Sequence, residues 1–372
     1  MKLALILLAV FASLVTAAAL VDAVPAARTW LRRIGIGSLP PQTAKTKMRA
    51  AAARMLRNTP AVPISDQTRF TLPERIRGVY KSRKVQSWQK AALLLGVAQS
   101  GDEAAAGACA ADLLTADGNW RTPVSRVDEA MLAYALLRTA KEPQAVRRAM
   151  DDTYALLRTA ASDGTVPYDA RRSDRRFVDT VGMICPFLWL YGKTYGEPQA
   201  AELCLRQFDE YRTRALNPVT GLPAHAIRLS DGAALGIGDW GRGCGWYAFA
   251  LAELLRCGAD VTDEAVRFAQ AVIPLQQQNG AWSRQLLSEC GTESTATAML
   301  GHLCAVLYTV TQDVQYKTAA EKAQRALLCA TRKNGETDFA QGDTKSIGFY
   351  SARLTALPAA TGFALLLTEE LQ

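Results

Sequence analysis

Histidine is nearly absent from this 372-residue chain: His225 and His302 are the only two. The eight cysteines form no CxxC pair, and neither histidine stands at ligand spacing from two cysteines, so a zinc site has no donors to draw on. No metal and no cofactor is expected. Most of the cysteines sit in helical patterns, where a free thiol acts as a small buried hydrophobe, which favours a reducing compartment over a disulfide framework. Apolar alternation of period two is missing over any useful length, apart from short stretches in the longer loops. Charge excess is missing too, once its location is considered. The net charge is +8, but residues 1–60 hold nine Lys/Arg and one acid, and the remaining 34 bases and 34 acids cancel. A nucleic-acid binder carries its basic patch on the folded domain, so nucleic acid is not the expected partner.

Apolar helical pattern, by contrast, is abundant. Leu3 to Val21 is a 19-residue stretch without a charge, preceded by one Lys and followed by small residues, which suits either a signal peptide or a membrane anchor. The bases from Arg28 to Arg57 outnumber the single Lys ahead of it, a bias that tips the expectation toward an anchor with that side in the cytoplasm. The chain is therefore expected to be membrane-anchored or exported. Its expected organisation is a leader over residues 1–24, a basic linker over 25–43 and one folded domain over 44–372.

Within that domain, helical patterns fall near residues 84–98, 102–115, 126–139, 142–159, 176–195, 198–214, 242–256, 261–278, 293–311, 314–331 and 358–370. The breaks between them alternate between tight turns, such as Gly196-Glu197-Pro198, and connections of ten residues or more. A tight turn makes an antiparallel hairpin, and hairpins linked by long loops repeat around an axis or along a solenoid. Five hairpins and a final helix make eleven elements, and the amphipathic stretch 44–57 supplies a twelfth. The expected fold is all-α, an (α/α)6 toroid in which residues 44–57 close the ring against the C-terminal helix. If the first helix of each hairpin is inner, all long loops and inner N-termini share one mouth, whose helix dipoles favour an anion.

The unusual residues collect at that mouth. Trp240-Gly241-Arg242-Gly243-Cys244-Gly245-Trp246 is poor helix and poor strand, because each Gly costs a helix about 1 kcal/mol relative to Ala. Such a segment is tolerated where backbone must approach something closely. Its Arg242 offers a planar fork for a carboxylate and its indoles offer faces for a sugar ring. Asp128 and Asp179 each stand at the start of an apolar helix, where an acid is first of all an N-cap or first-turn acid worth about 1 kcal/mol of helix stability. Asp179 is set among Phe177, Val178, Val181 and Met183. A carboxyl in apolar surroundings near a second carboxylate is raised in pKa and becomes a candidate general acid.

The run FVDTVGMICPFLWLYGKTYG (residues 177–196) resembles the core motif of the unsaturated glucuronyl and rhamnogalacturonyl hydrolases, glycoside hydrolase families 88 and 105. GLPAH (221–225), the Trp-x-Arg-Gly-x-Gly-Trp that follows, ESTATAM (293–299) and the terminal TGFAL (361–365) occur in the family's order and at similar spacing, so the likeness covers roughly residues 80–372. It implies an (α/α)6 fold and an oligosaccharide substrate whose nonreducing end is a 4,5-unsaturated uronic acid left by a lyase. It implies that Asp179 protonates C4 of the vinyl ether and then activates water for attack at C5, while Asp128 holds sugar hydroxyls. Trp88, Tyr168, Met183, His225, Trp240, Arg242 and Trp246 take the pocket positions. The sequence departs from the pattern at Cys244, where Asn is common, and at Tyr168, where many members have His. Two other classes compete: a non-catalytic toroid binding acidic glycan or a protein, and a lanthionine cyclase-like enzyme, which would need zinc ligands.

Overall fold

A computed structural model describes residues 2–62, 66, 76–77, 87–161, 163–288, 290–344 and 346–372. Two helices precede the repeat, α1 (Lys2–Arg33) and α2 (Pro41–Arg57). The hairpins follow as α3 (Ser87–Gln99) with α4 (Glu103–Leu113), α5 (Ala130–Thr139) with α6 (Arg147–Ala160), and α7 (Val178–Tyr195) with α8 (Pro198–Ala215). Then come α9 (Gly241–Arg256) with α10 (Thr262–Val272), α11 (Ser294–Thr311) with α12 (Val314–Cys329), and the single α13 (Pro358–Glu370).

The two sets of helices differ in how they are buried. In α9 every residue from Gly241 to Leu255 is buried, and in α13 every residue from Pro358 to Thr368. Helices apolar all round belong inside. By contrast α8 buries Ala200, Leu203, Cys204, Gln207, Phe208 and Tyr211, a stripe at spacings of three and four that lies against the inner layer. The inner helices α3, α5, α7, α9, α11 and α13 pack in that order, and α13 returns to α3 to close the circle. Helix α2 packs on α3 and α13, with Ala44, Met48, Ala51, Ala52, Met55 and Leu56 turned inward. Arg49 of α2 also donates to Glu369 at 2.6 Å. The expected closing element is therefore in place, and the fold is an (α/α)6 toroid. The expected helix start at residue 84 lies outside the described residues.

Local departures have local causes. Residues 127–129 and 143–146 form 3-10 turns ahead of α5 and α6, and Pro274 in the turn Ile273–Leu275 ends α10 short of the apolar pattern. Arg175–Phe177 (β1), Ala226–Arg228 (β2) and Ala234–Leu235 (β3) form a small antiparallel sheet inside two of the long loops. Ala340–Gln341 (β4) pairs with Leu354–Thr355 (β5) in the last one.

Helix α1 contains a window, Lys2–Leu20, of mean hydropathy 2.7 that is wholly exposed; by length and composition it can cross a membrane, a property that signal sequences share. The helix continues unbroken to Arg33, whose guanidinium donates twice to Asp338, both at 2.9 Å, and once to the Leu354 carbonyl at 2.6 Å.

About 16 Å along α9 from Arg242, a buried ionic cluster ties inner helices together. Glu253 is fully buried, 3.0 Å from Arg138 of α5 and 2.6 Å from His302 of α11, and it also accepts from the Tyr134 hydroxyl.

Candidate active site

The cavity at the mouth has a volume of about 750 Å³, with Asp128, Asp179, Met183, His225, Arg242 and Trp246 among its walls, and Trp88 and Tyr168 as well. Eight of the nine residues expected from the sequence thus meet around one space. Trp240 is the exception. Its ring is 1% exposed and lies behind the wall, against His225 at 4.6 Å and Tyr350 at 5.3 Å, with Arg242 stacked over it at 5.0 Å. The indole supports the wall rather than forming it.

The small sheet places the central pair. Pairing of Phe177 with Ala226, extended by the Val178 N–H donated to the His225 carbonyl at 3.0 Å, sets His225 beside the first turn of α7. His225 Nε2 is then 3.4 Å from Asp179 Oδ2. The Tyr350 hydroxyl accepts the Ile237 N–H at 3.0 Å and lies 2.6 Å from His225 Nδ1. The Tyr350 hydroxyl thus ties His225 Nδ1 to the Ile237 backbone, and Nε2 is the ring nitrogen that faces Asp179. Asp179 Oδ2 is buried and has no hydrogen-bond partner among the described residues. Asp179 lies in the first turn of α7 but caps no backbone N–H there, so the first-turn acid expected from the sequence is present and the cap is not. Leaving such an oxygen unsatisfied costs about 1–3 kcal/mol.

Asp128 is held differently. Arg126 donates to both its oxygens, at 2.8 and 2.5 Å, and the Ser87 hydroxyl approaches at 3.3 Å. Burial raises its pKa, against the pull of Arg126. The two carboxyls are therefore unequal: one is clamped in a bidentate ion pair, the other is open toward the cavity with 18% of its side chain exposed.

Arg242 does not present a free fork. It donates to the Gln341 carbonyl at 2.5 Å, to the Gly342 carbonyl at 3.0 Å and to Thr344 Oγ1 at 3.0 Å. Trp240 Nε1 donates to Gln341 Oε1 at 2.8 Å, and Glu293, capping α11, accepts the Gln341 N–H at 2.8 Å. The glycine-rich segment is thus helical from Gly241 onward, and its work is to pin the 341–344 loop. Close approach is nonetheless real: a Cβ at Gly241 would lie 2.3 Å from the Ser283 carbonyl oxygen, and one at Gly182 would lie 2.8 Å from Trp246. Gly182 lets Trp246 settle against α7, edge-on to Trp88 at 5.4 Å.

The pinned loop brings in a residue that helix periodicity could not single out. Asp343 lines the cavity. Burial pushes its carboxyl up to about 6, opposed by Arg242 and reinforced by Asp179 and Asp128. An acid whose folded pKa lies above its unfolded value costs stability as pH rises between the two, here from about 3.8 to about 6. Asp343→Asn is therefore expected to melt higher than wild type at pH 7 and equally at pH below 4, a difference that thermal unfolding across that range will measure.

The family model described as Glycosyl Hydrolase Family 88 matches residues 106–368, well over half of the chain. No curated protein matches in sequence. Among solved structures, a possible GH105 member from Salmonella enterica superposes with a TM-score of 0.72 at 18% identity, covering 89% of this chain and 94% of that one. An unsaturated glucuronyl hydrolase specific for heparin gives 0.68 at 13% identity, covering 89% and 97%. The unsaturated glucuronyl hydrolase of Bacillus sp. GL1 gives 0.63 at 16%, covering 88% and 96%. At these identities the superpositions carry the fold, and the match along residues 106–368 carries the rest: this chain belongs to glycosyl hydrolase family 88.

Proposed function

We propose that the protein removes a 4,5-unsaturated uronic acid from the nonreducing end of lyase-generated oligosaccharides by hydrating the vinyl ether. The observation that carries this is Asp179: a carboxyl on the cavity wall with an unsatisfied oxygen, faced by His225 and flanked by Met183 and Trp246. In this reading Asp179 delivers a proton to C4 and the ring oxygen stabilises the cation that forms at C5. The Asp179 carboxylate then takes a proton from water as its oxygen bonds to C5. The C5 hemiketal opens to a ketone, the C1 hemiacetal collapses to an aldehyde, and the remaining sugar leaves with its own oxygen. Because no displacement occurs at the anomeric carbon, the spacing of two carboxylates does not set a stereochemical outcome. His225 Nε2 stands 3.4 Å from Asp179, and Asp128, locked by Arg126, is placed to accept from sugar hydroxyls.

The reading is tested by isotope. Turnover in deuterated or ¹⁸O-labelled water should leave deuterium at C4 and ¹⁸O at C5 of the released acid, with loss of the unsaturated chromophore. Label at C1, or cleavage of a saturated glycoside at equal rate, would refute it.

The same reading keeps α1 as a retained anchor, supported by its exposed apolar window and by the Arg33–Asp338 clamp at its far end. Full-length protein expressed in its host should stay with membranes after an alkaline wash and carry its original N-terminus. Recovery as a shortened soluble chain would rule the anchor out.

A further inference from the structure

The end of α1 meets the domain at a buried cluster that the chemistry above does not use. Arg33 engages both oxygens of Asp338, each at 2.9 Å, and with the same guanidinium donates to the Leu354 carbonyl at 2.6 Å. That guanidinium also lies over the Phe339 ring, 4.8 Å from its centroid, within cation–π range. Asp338 is fully buried and accepts two more bonds, from Arg332 at 2.8 Å and from the Phe339 N–H at 2.6 Å. Phe339 itself sits at a φ of 62°, a left-handed conformation that a residue with a Cβ rarely adopts and that its surroundings must impose.

These contacts clasp the base of the loop that completes the cavity. Strands β4 and β5 share only two residue pairs, Ala340 with Thr355 and Gln341 with Leu354, and so short a ribbon is marginal by itself. The chain between them gives Asp343 and Thr344 to the cavity wall and the Tyr350 hydroxyl to His225. Gln341, in the ladder, takes Trp240 Nε1 on its side chain and Arg242 on its carbonyl. Asp66 holds the outer flank, accepting from Ser351 Oγ at 2.6 Å and from the Ala352 N–H at 2.7 Å. Arg33 instead bridges the two chain segments that enter and leave the loop.

We propose that Arg33 is a positioning residue for the active site: by fastening Asp338 to the Leu354 carbonyl it fixes the loop that holds Arg242, Asp343 and Tyr350. The end of α1 is then part of the catalytic apparatus as well as its tether. Its effect on turnover rests on the uronyl-hydrolase reading; its effect on the loop does not. A planar fork can hold two carboxylate oxygens and a carbonyl together, whereas an ammonium is a point charge.

The test compares full-length wild type with Arg33→Ala, Arg33→Lys and a control, Arg49→Ala. The control breaks another half-exposed arginine pair, to Glu369 at the end of α13 away from the loop. Hydrogen exchange is followed in peptides covering 338–344 and 349–356, and kcat/KM on an unsaturated uronyl disaccharide at a temperature where every variant is folded. Arg33→Ala is expected to speed exchange in those peptides about tenfold and to lower kcat/KM about tenfold, with α9 and α11 exchanging as in wild type. Arg33→Lys should recover little of either, and Arg49→Ala should change neither. Exchange that stays at the wild-type rate in the loop or rises evenly through the domain would overturn the proposal. So would full recovery in Arg33→Lys, or a kcat/KM for Arg33→Ala within about twofold of wild type. If wild type leaves the disaccharide intact, the hydrolase reading falls and the loop exchange alone decides for or against the clasp.

Discussion

Asp179→Asn should lower kcat on an unsaturated uronyl disaccharide by about 10²–10⁴-fold, the range that general acid–base catalysis supplies. KM should move far less, because the amide keeps the shape and can still face His225. The chromophore of the unsaturated acid gives the rate directly. Folding should be intact, since the amide matches the carboxylate in size and stays polar at both terminal atoms. The comparison that makes the result specific is Asp128→Asn. That residue is bound by Arg126 through two bonds. Its loss frees a guanidinium inside the pocket and should raise KM as well as lower kcat. If Asp179→Asn retains more than about a tenth of wild-type kcat, it is not the group that moves the proton.

The second large effect concerns stability and lies away from the cavity. Arg138→Ala leaves Glu253 buried with part of its charge uncompensated, and breaking a buried ion pair from one side costs about 3–5 kcal/mol. For a domain of this size that is roughly 5–15 °C in Tm. The pH dependence has a definite sign. Burial alone would raise the Glu253 pKa, but Arg138, then His302 and Arg256, pull it well below its usual 4.5. An acid depressed on folding stabilises fully above its unfolded value and loses that contribution as pH falls through the folded one. The gap between wild type and Arg138→Ala should therefore be widest above about pH 5 and narrow in acid, with kcat at low temperature little changed. A difference below about 1 kcal/mol at pH 7 would mean that water or rearrangement meets the Glu253 charge.

The fold was readable because its two signals are local. Tight turns such as Gly196-Glu197-Pro198 mark hairpins, and helices such as α9 and α8 differ in whether apolar residues run all round or in a stripe. The site was readable where residues sit at helix starts, as Asp179 and Arg242 do. It was not readable where partners come from loops far along the chain. Asp343, Gln341 and Tyr350 lie about a hundred residues or more from the groups they meet, and no periodicity marks them. The direction of Trp240 was equally hidden. A Trp two residues before an Arg can face a ligand or back the Arg, and only the Gln341 contact decides. The Arg242 fork, expected from the sequence to face a carboxylate, is instead taken up by the Gln341 and Gly342 carbonyls and Thr344.

Closure of the ring has a bearing on how the protein is made. Helix α13 follows all the other ring helices in the chain, yet it packs between α3 and α11 and against α2, so distant parts of the domain must meet before either is complete. Contacts this distant in sequence form slowly, and until they do α3 and α11 each present an uncovered apolar flank to whatever is nearby. The loop bearing Asp343 immediately precedes α13. A chain truncated before residue 358 should therefore be an aggregating species, not a smaller enzyme.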